Sequence, residues 1–306
     1  MSNLDLDALL QQADAHVAGE LKVTPDIVDA GHDLDLDDLS IVARRWHKVT
    51  DAVVVAVDLK NSTQLGVNKW AASTASIYEA AIKPIADMFL AFDANDIDIQ
   101  GDGAFGIFWG PRRTERAICA GVTIKTFSAK HLVPRLEARW DTLPPTGFKV
   151  GIAASSLLAK RVGVPRTTHQ EEVWPGKAVN YATKAAQCAD AHELIVTNTV
   201  WTRIEDNDFL SHACGCPDGI SCNELWTPAT IDRLRHDEPD RDGRVLRSTW
   251  CDVHGPDFCE AILTGKTKRE EIQQLLTKGF IGQSLAAKKR RDADRERSLA
   301  LLRSGR

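Results

Sequence analysis

The run Ala52-Val53-Val54-Val55-Ala56-Val57 constrains this chain more than any other feature, because no polar residue interrupts it. A strand with one wet face alternates apolar and polar side chains. An unbroken, largely β-branched run belongs inside a sheet covered on both faces. Asp58 ends the run, and the polar segment Asn61-Ser62-Thr63-Gln64 is suited to capping. Ile77, Ala81, Ile85, Met88 and Phe92 recur at helical spacing over roughly 70–92. Ile97 and Ile99, the turn Gly101-Asp102-Gly103, and then Phe105, Ile107 and Trp109 predict a tight two-stranded hairpin. Helices are expected over Arg113 to Leu136, Lys177 to Cys188 and Thr199 to Ile204, and strands over Lys149 to Ala153 and Leu194 to Thr197. The order strand, helix, strand, strand, helix, strand, helix, strand predicts an α/β (α+β) fold, a mixed sheet with flanking helices.

Around this centre, residues 1–50 read as a helical lead-in. Asn3 caps a first helix carrying Leu4, Leu6, Leu9 and Leu10, Thr24-Pro25 breaks it, and a second amphipathic stretch runs from Leu39 to Trp46. The main domain is expected over 51–264. It contains a polar, Cys- and Asp-rich insertion at about 205–245 and returns to strand-like text at 246–263. A basic helical tail follows over 265–306, with Lys288, Lys289, Arg290 and Arg291 in one run. The bland reading of that tail is a solvated helix; nucleic acid, an acidic membrane surface and the acidic start of a second copy are the alternatives. A net charge of −5 argues against the whole chain being a nucleic-acid binder.

No segment approaches the roughly eighteen apolar residues that crossing a bilayer takes. The acidic first sixteen residues lack a signal peptide's basic start and apolar run. A cytoplasmic chain is expected, in which seven cysteines read as free thiols or metal ligands rather than a disulfide framework.

Asp58 closes the buried strand and Asp102 sits at the hairpin tip. If the hairpin pairs beside that strand, both carboxylates reach one edge of the sheet. Paired carboxylates suit magnesium or manganese, which take oxygen ligands and usually share them with substrate phosphates. Two such ions about 3.5–4 Å apart activate an attacking hydroxyl and steady a leaving phosphate. Either aspartate alone is more often a helix cap or turn former, and the glycines of the hairpin turn also serve as suppliers of positive φ.

Four blocks add a resemblance. VVVAVDLKNST is similar to the first metal-binding strand and phosphate-holding turn of class III adenylate and guanylate cyclases, and IQGDGAFGIF to their second metal strand and hairpin. KVGIAASSLLAKRVG resembles the strand-then-glycine segment of that family. VWPGKAVNYATKAAQCADAHELIVT resembles the stretch bearing its transition-state residues. The blocks stand in family order over roughly 51–204. The resemblance implies a ferredoxin-like catalytic domain working as a head-to-tail homodimer with active sites at the interface, on a nucleoside triphosphate and two divalent cations, Mn2+ or Mg2+. By position it implies Asp58, Asp102 and the Leu59 carbonyl as metal ligands. Asn61, Ser62 and Thr63 would hold the triphosphate, Asn180 would orient the ribose, and Lys184 stands where the family usually has arginine. The family's later phosphate-binding lysine has no evident counterpart in the divergent 205–250 region.

The two base-reading positions of the family fall on Asp98 and near Val173, and the Lys–Asp pair that reads adenine is absent. An ionised Asp98 only accepts hydrogen bonds, which suits uracil N3–H, cytosine N4–H₂ or guanine N1–H and N2–H₂. Val173 supplies no second polar contact. Gln100 and Trp174 are expected to reshape the pocket, the large indole favouring a smaller base. VWPGKAVNYATKAA and the stand-alone architecture look like the bacterial antiphage pyrimidine cyclases of the Pycsar systems. That implies UTP as favoured substrate, CTP next, and a cyclic nucleotide read by a separate effector. The rivals are an adenylate or guanylate cyclase of ordinary signalling and an inactive cyclase-like nucleotide-binding domain. A dinucleotide-making cyclase fits poorly, since Gly-Asp-Gly-Ala-Phe stands here in place of Gly-Gly-Asp-Glu-Phe.

Finally, His212, Cys214, Cys216 and Cys222 cluster in HACGCPDGISC, followed by Cys251, His254 and Cys259 in WCDVHGPDFC. These ligand types suit a structural tetrahedral zinc, although the spacings match no named zinc module; unlinked reduced thiols are the alternative.

Overall fold

The computed structural model describes residues 4–216, 223–275, 277, 278 and 289. Asn3, Cys222 and most of the expected basic tail lie outside the described residues. Among the described residues, no helix is long and apolar enough to cross a membrane.

The buried run is the middle of β2, Arg45–Leu59. Its alternate residues face opposite ways, as the pleat requires. Val53, Val55 and Val57 join the core beneath α3 (Ala71–Ala91) and α4 (Arg113–Phe127). Val54 and Ala56 join a second core beneath α6 (Lys177–Cys188). The sheet order is β3-β4-β2-β5-β7-β9-β8, with β1 pairing β2 and β6 pairing β5. Here β1 is Asp26–Gly31, β3 Asp96–Gln100, β4 Gly103–Phe108, β5 Phe148–Gly163, β6 Gln170–Val173, β7 Leu194–Val196, β8 Trp226–Thr230 and β9 Asp242–Leu246. Both β4 and β5 run antiparallel to β2, whereas β7 runs parallel to β5, so the sheet is mixed as expected.

The helix α6 comes very close to the sheet. A Cβ on Gly151 of β5 would collide with the Ala182 carbonyl and the Ala186 amide. Small residues on both sides, with Ala178, Ala182, Ala185 and Ala186 buried on the helix, bring the backbones together. Further helices are α1 (Leu6–Lys22), α2 (Ser62–Leu65), α5 (Val133–Arg139), α7 (Asn198–Ile204), α8 (Asp208–Ser211) and α9 (Gly255–Leu263).

Several expectations need correction. The cap of α1 is Asp5, whose carboxylate accepts from Ala8 N–H at 3.0 Å, not Asn3. Leu39 to Trp46 is not an amphipathic helix, because its last two residues already begin β2. The lead-in is only partly helical, since β1 lies within it and pairs in parallel with the start of β2. The helix over Arg113 to Leu136 is interrupted by a π-helical stretch, Ser128–Leu132. The span 205–245 is not wholly an insertion: β8 and most of β9 lie in it and extend the main sheet past β7. The strand-like text of 246–263 folds chiefly as α9, started by Pro256 in its first turn, where the missing N–H costs nothing.

Candidate active site

In the β2–β4 ladder Asp58 stands opposite Gly103, and Gly103 closes the hairpin onto Gln100. Asp102 is therefore one residue from direct pairing with Asp58, and both expected carboxylates come to the same end of adjacent strands. Gly101, at φ +64°, makes the turn that places Asp102 there. Gly103 has no room for a side chain, since a Cβ would strike the Val57 carbonyl. Both aspartates are partly exposed. Leu59, nearly fully buried, ends β2 opposite Phe148.

On its other side Asp58 faces Lys149 of β5, and the Lys149 ammonium forms an ion pair with it. The sequence signals Lys149 only as the first residue of a strand. Register with Asp58, invisible in one dimension, gives it its place. Beside it the Lys60 ammonium pairs with Asp190 and holds that carboxyl below the usual carboxylate range. An all-oxygen donor set that already attracts an ammonium fits a hard divalent cation.

The polar turn after β2 is tied down from the 145–147 loop. Asn61 sits at φ 57° and caps α2, and its side-chain amide donates to the Pro145 carbonyl at 2.8 Å. Lys60 N–H donates to the Gly147 carbonyl at 3.1 Å, and Thr146 Oγ1 to the Lys60 carbonyl at 2.8 Å. Ser62 is buried and Thr63 exposed. Asn61, Ser62 and Thr63 thus follow directly on the aspartate-bearing end of β2.

Asn180 and Lys184 occupy successive turns of α6, as expected. Asn180 is exposed. Lys184 lies over the Tyr181 ring, 5.9 Å from its centroid, and Tyr181 donates to Glu238 at 2.5 Å. Within one chain α6 nears the level of the aspartates only toward its end, where Ala182 and Ala186 lie against Gly151, the partner of Ala56. Ala178 N–H donates to Ser155 Oγ, so the start of α6 lies level with residues that pair with Ala52 and Val53, not with Asp58. At about 3.3 Å per residue, Asn180 sits on the order of 10 Å along the strands from Asp58.

Asp98 lies on β3, partly exposed, and accepts from Gln100 Nε2 at 2.7 Å. Burial pushes the neighbouring Asp96 carboxyl up, and the carboxylates of Glu172 and Asp98 push the same way. Val173 ends β6, partly buried, paired with Lys160. Trp174 departs from the expected pocket-shaping role. It is 8% exposed and packs in the core against Trp109 with ring centroids 5.5 Å apart. Its indole nitrogen is buried with no hydrogen-bond partner, near enough to Asp96 to oppose the rise in that carboxyl's pKa.

The cysteine-rich segments divide. Cys214, Cys216, Cys251 and His254 converge, their ligand atoms all within 4.8 Å of one another. Backbone N–H groups of His254 and Val253 turn to Cys251 and lower its thiol to about 6. His212 lies apart, 3.1 Å from Ser211 Oγ, and Cys259 faces Cys119 of α4 instead.

No protein-family profile matches the chain. A uridylate cyclase of Micromonospora echinofusca is 57% identical to it over 272 residues, which cover 89% of this chain and 88% of that protein. A uridylate cyclase of Propioniciclava tarda is 45% identical over 304 residues, 97% of each. Among solved structures, the adenylyl cyclase CyaB from P. aeruginosa matches with a TM-score of 0.51 at 15% identity, over 65% of this chain and 93% of that one. A class III adenylyl cyclase-like ATP-binding protein from Pseudomonas aeruginosa matches with a TM-score of 0.53 at 17% identity, over 88% of this chain and 52% of that one. Identities this low speak for the fold alone, and the fold is that of the class III cyclase catalytic domain.

Proposed function

The chain belongs to the uridylate cyclase family, and from that premise we propose that it closes UTP into 3′,5′-cyclic UMP and releases pyrophosphate. The observation that carries this reading is the arrival of Asp58 and Asp102 at one end of paired strands, in a chain so similar to curated uridylate cyclases.

The ribose 3′-oxygen attacks the α-phosphorus. The new oxygen–phosphorus bond forms as the bond to the bridging oxygen of pyrophosphate breaks, and the hydroxyl proton passes to water. Asp58, Asp102 and the Leu59 carbonyl hold two divalent cations, Mn2+ or Mg2+, which when bound supply hydroxyl activation and charge neutralisation. The amides of Asn61, Ser62 and Thr63 and the Thr63 hydroxyl face the triphosphate. Lys149 and Lys60 add positive charge at the same end of the sheet. Asn180 orients the ribose, and Lys184 neutralises charge on the transferring phosphoryl group as a point charge without arginine's planar fork. As the resemblance to class III cyclases implies, a second copy supplies Asn180 and Lys184, and the working enzyme is a homodimer. Asp98 accepts uracil N3–H, with Val173 as an apolar neighbour. The catalytic unit spans 51–264 together with β1 and the start of β2, in a cytoplasmic protein. Its product is a second messenger for a separate effector in antiphage defence, in keeping with the Pycsar-like sequence blocks.

Mass spectrometry of products from purified chain incubated separately with UTP, CTP, ATP and GTP in the presence of Mn2+ tests the reading. Cyclic UMP is the expected main product. Cyclic AMP or cyclic GMP as main product overturns it, and cyclic CMP overturns the base assignment alone.

A further inference from the structure

A strap of irregular chain, 212–216, leaves α8 and crosses to the turn that opens α9. Its backbone ties are sparse: Ala213 N–H donates to the Asn223 carbonyl at 2.8 Å, and the buried Arg269 guanidinium donates to the His212 and Ala213 carbonyls at 3.1 Å each. What converges at its end is a set of soft ligands. Cys216 Sγ lies 3.3 Å from His254 Nδ1, and Cys251 Sγ lies 3.9 Å from the same atom. In a tetrahedral site with bonds of about 2.3 Å to sulfur and 2.0–2.1 Å to nitrogen, adjacent ligand atoms stand roughly 3.5–3.8 Å apart. The observed spread of at most 4.8 Å closes to that geometry with small side-chain rotations. It is too tight for a multi-iron cluster to lie between the sulfurs.

Local sequence explains the convergence. Gly215, at φ +85°, turns the chain so that the cysteines on either side of it reach one point. Cys251 and His254 are three residues apart in the turn just before α9, which His254 caps and the Gly255 N–H closes onto the Cys251 carbonyl at 2.8 Å, so both reach the same side. Among the described residues, the other thiols have other neighbours. Cys188 donates to Asp232 at 3.0 Å, and Cys259 packs on Cys119.

We propose that Cys214, Cys216, Cys251 and His254 form a closed structural zinc site that fastens the strap after α8 to the start of α9. Three thiolates and an imidazole select zinc over the magnesium or manganese that an oxygen site takes. Four protein ligands leave no open position, so this ion does no chemistry on a substrate. It replaces the apolar core that the strap lacks. Lys130, at the π-helical stretch, donates to the Trp250 carbonyl at 2.8 Å, and Trp250 Nε1 donates to Thr123 of α4 at 2.9 Å, so the fastened unit is anchored on the catalytic sheet's own helices.

The test uses the full chain purified under reducing conditions from zinc-supplemented medium, with elemental analysis. About one zinc per chain is expected, released when a mercurial titrates the thiols. Cobalt(II) in its place is expected to give thiolate charge-transfer bands and intense tetrahedral d–d bands. Cys251→Ser and Cys214→Ser are expected to lose the zinc and melt at lower temperature, and Cys188→Ser to keep both zinc and melting point. A wild-type chain without zinc, zinc retained by Cys251→Ser, or a cobalt spectrum without thiolate charge transfer overturns the site. The wild-type metal and cobalt measurements stand even if a variant fails to fold. No readout uses turnover of UTP, so the outcome is independent of the cyclase reading.

Discussion

Asp58 is held by Lys149 across one step of the β2–β5 ladder, and that contact separates two kinds of variant. Asp58→Ala and Asp102→Ala are expected to lower UTP turnover by at least about a hundredfold, because a carboxylate proposed to hold the divalent cations is gone. The melting temperature is expected to stay nearly unchanged, since both side chains are partly exposed. Turnover left intact by both variants sinks the proposed site. Lys149→Met acts in the opposite sense on the resting enzyme. An ammonium and a divalent ion compete for one carboxylate, so this variant is expected to bind Mn2+ more tightly than wild type when no nucleotide is present, as read by titration calorimetry.

A third residue reports through pH. Lys125 is fully buried, and its ammonium donates to the Arg247 and Ser248 carbonyls at 2.6 Å each. Burial lowers its pKa from 10.5 to about 8. Between those values the unfolded chain holds more proton than the folded one, so this group's contribution makes stability rise as pH climbs from about 8 to about 10.5. Urea denaturation at pH 8 and pH 10 checks the sign, and Lys125→Met is expected to remove this component of the slope.

Among the elements, legibility follows burial. The run at the centre of β2, the hairpin and the alanine-rich α6 are readable because each is fixed by its own apolar pattern or turn glycines. The edges are not. A core signal is missing from β1, whose first four residues, Asp26 to Asp29, are exposed, so it joins the sheet through backbone pairing, helped by the Arg45–Asp26 ion pair and the Thr50–Asp29 hydrogen bond. For β8 and β9, short length and polar surroundings hide a role that only pairing with β7 reveals. Trp174 illustrates the same limit at the site: its place near the base-reading positions is legible, but its packing on Trp109 depends on a contact between distant segments. Close packing of α6 yields a prediction at this scale. Gly151→Ala puts a methyl against the Ala182 carbonyl and is expected to destabilise the fold by about 1–3 kcal/mol in urea denaturation. A neutral result would mean that the helix slides away freely.

For the whole molecule, the proposed supply of Asn180 by a second copy makes composite sites testable by mixing. Asp58→Ala and Asn180→Ala homodimers are each expected to be nearly inactive. Remixed in equal amounts with subunit exchange, half of the dimers pair one variant with the other, and each of these carries one intact site, so about a quarter of wild-type activity returns. No recovery after verified exchange argues for a site built within one chain.

One strand gives this arrangement a mechanical consequence. β5 begins beside the carboxylate end with Lys149 and runs on to pair Lys160 with Val173. If the proposed homodimer shares its sites between copies, those two ends would serve different catalytic centres. The same rod of backbone would then brace both.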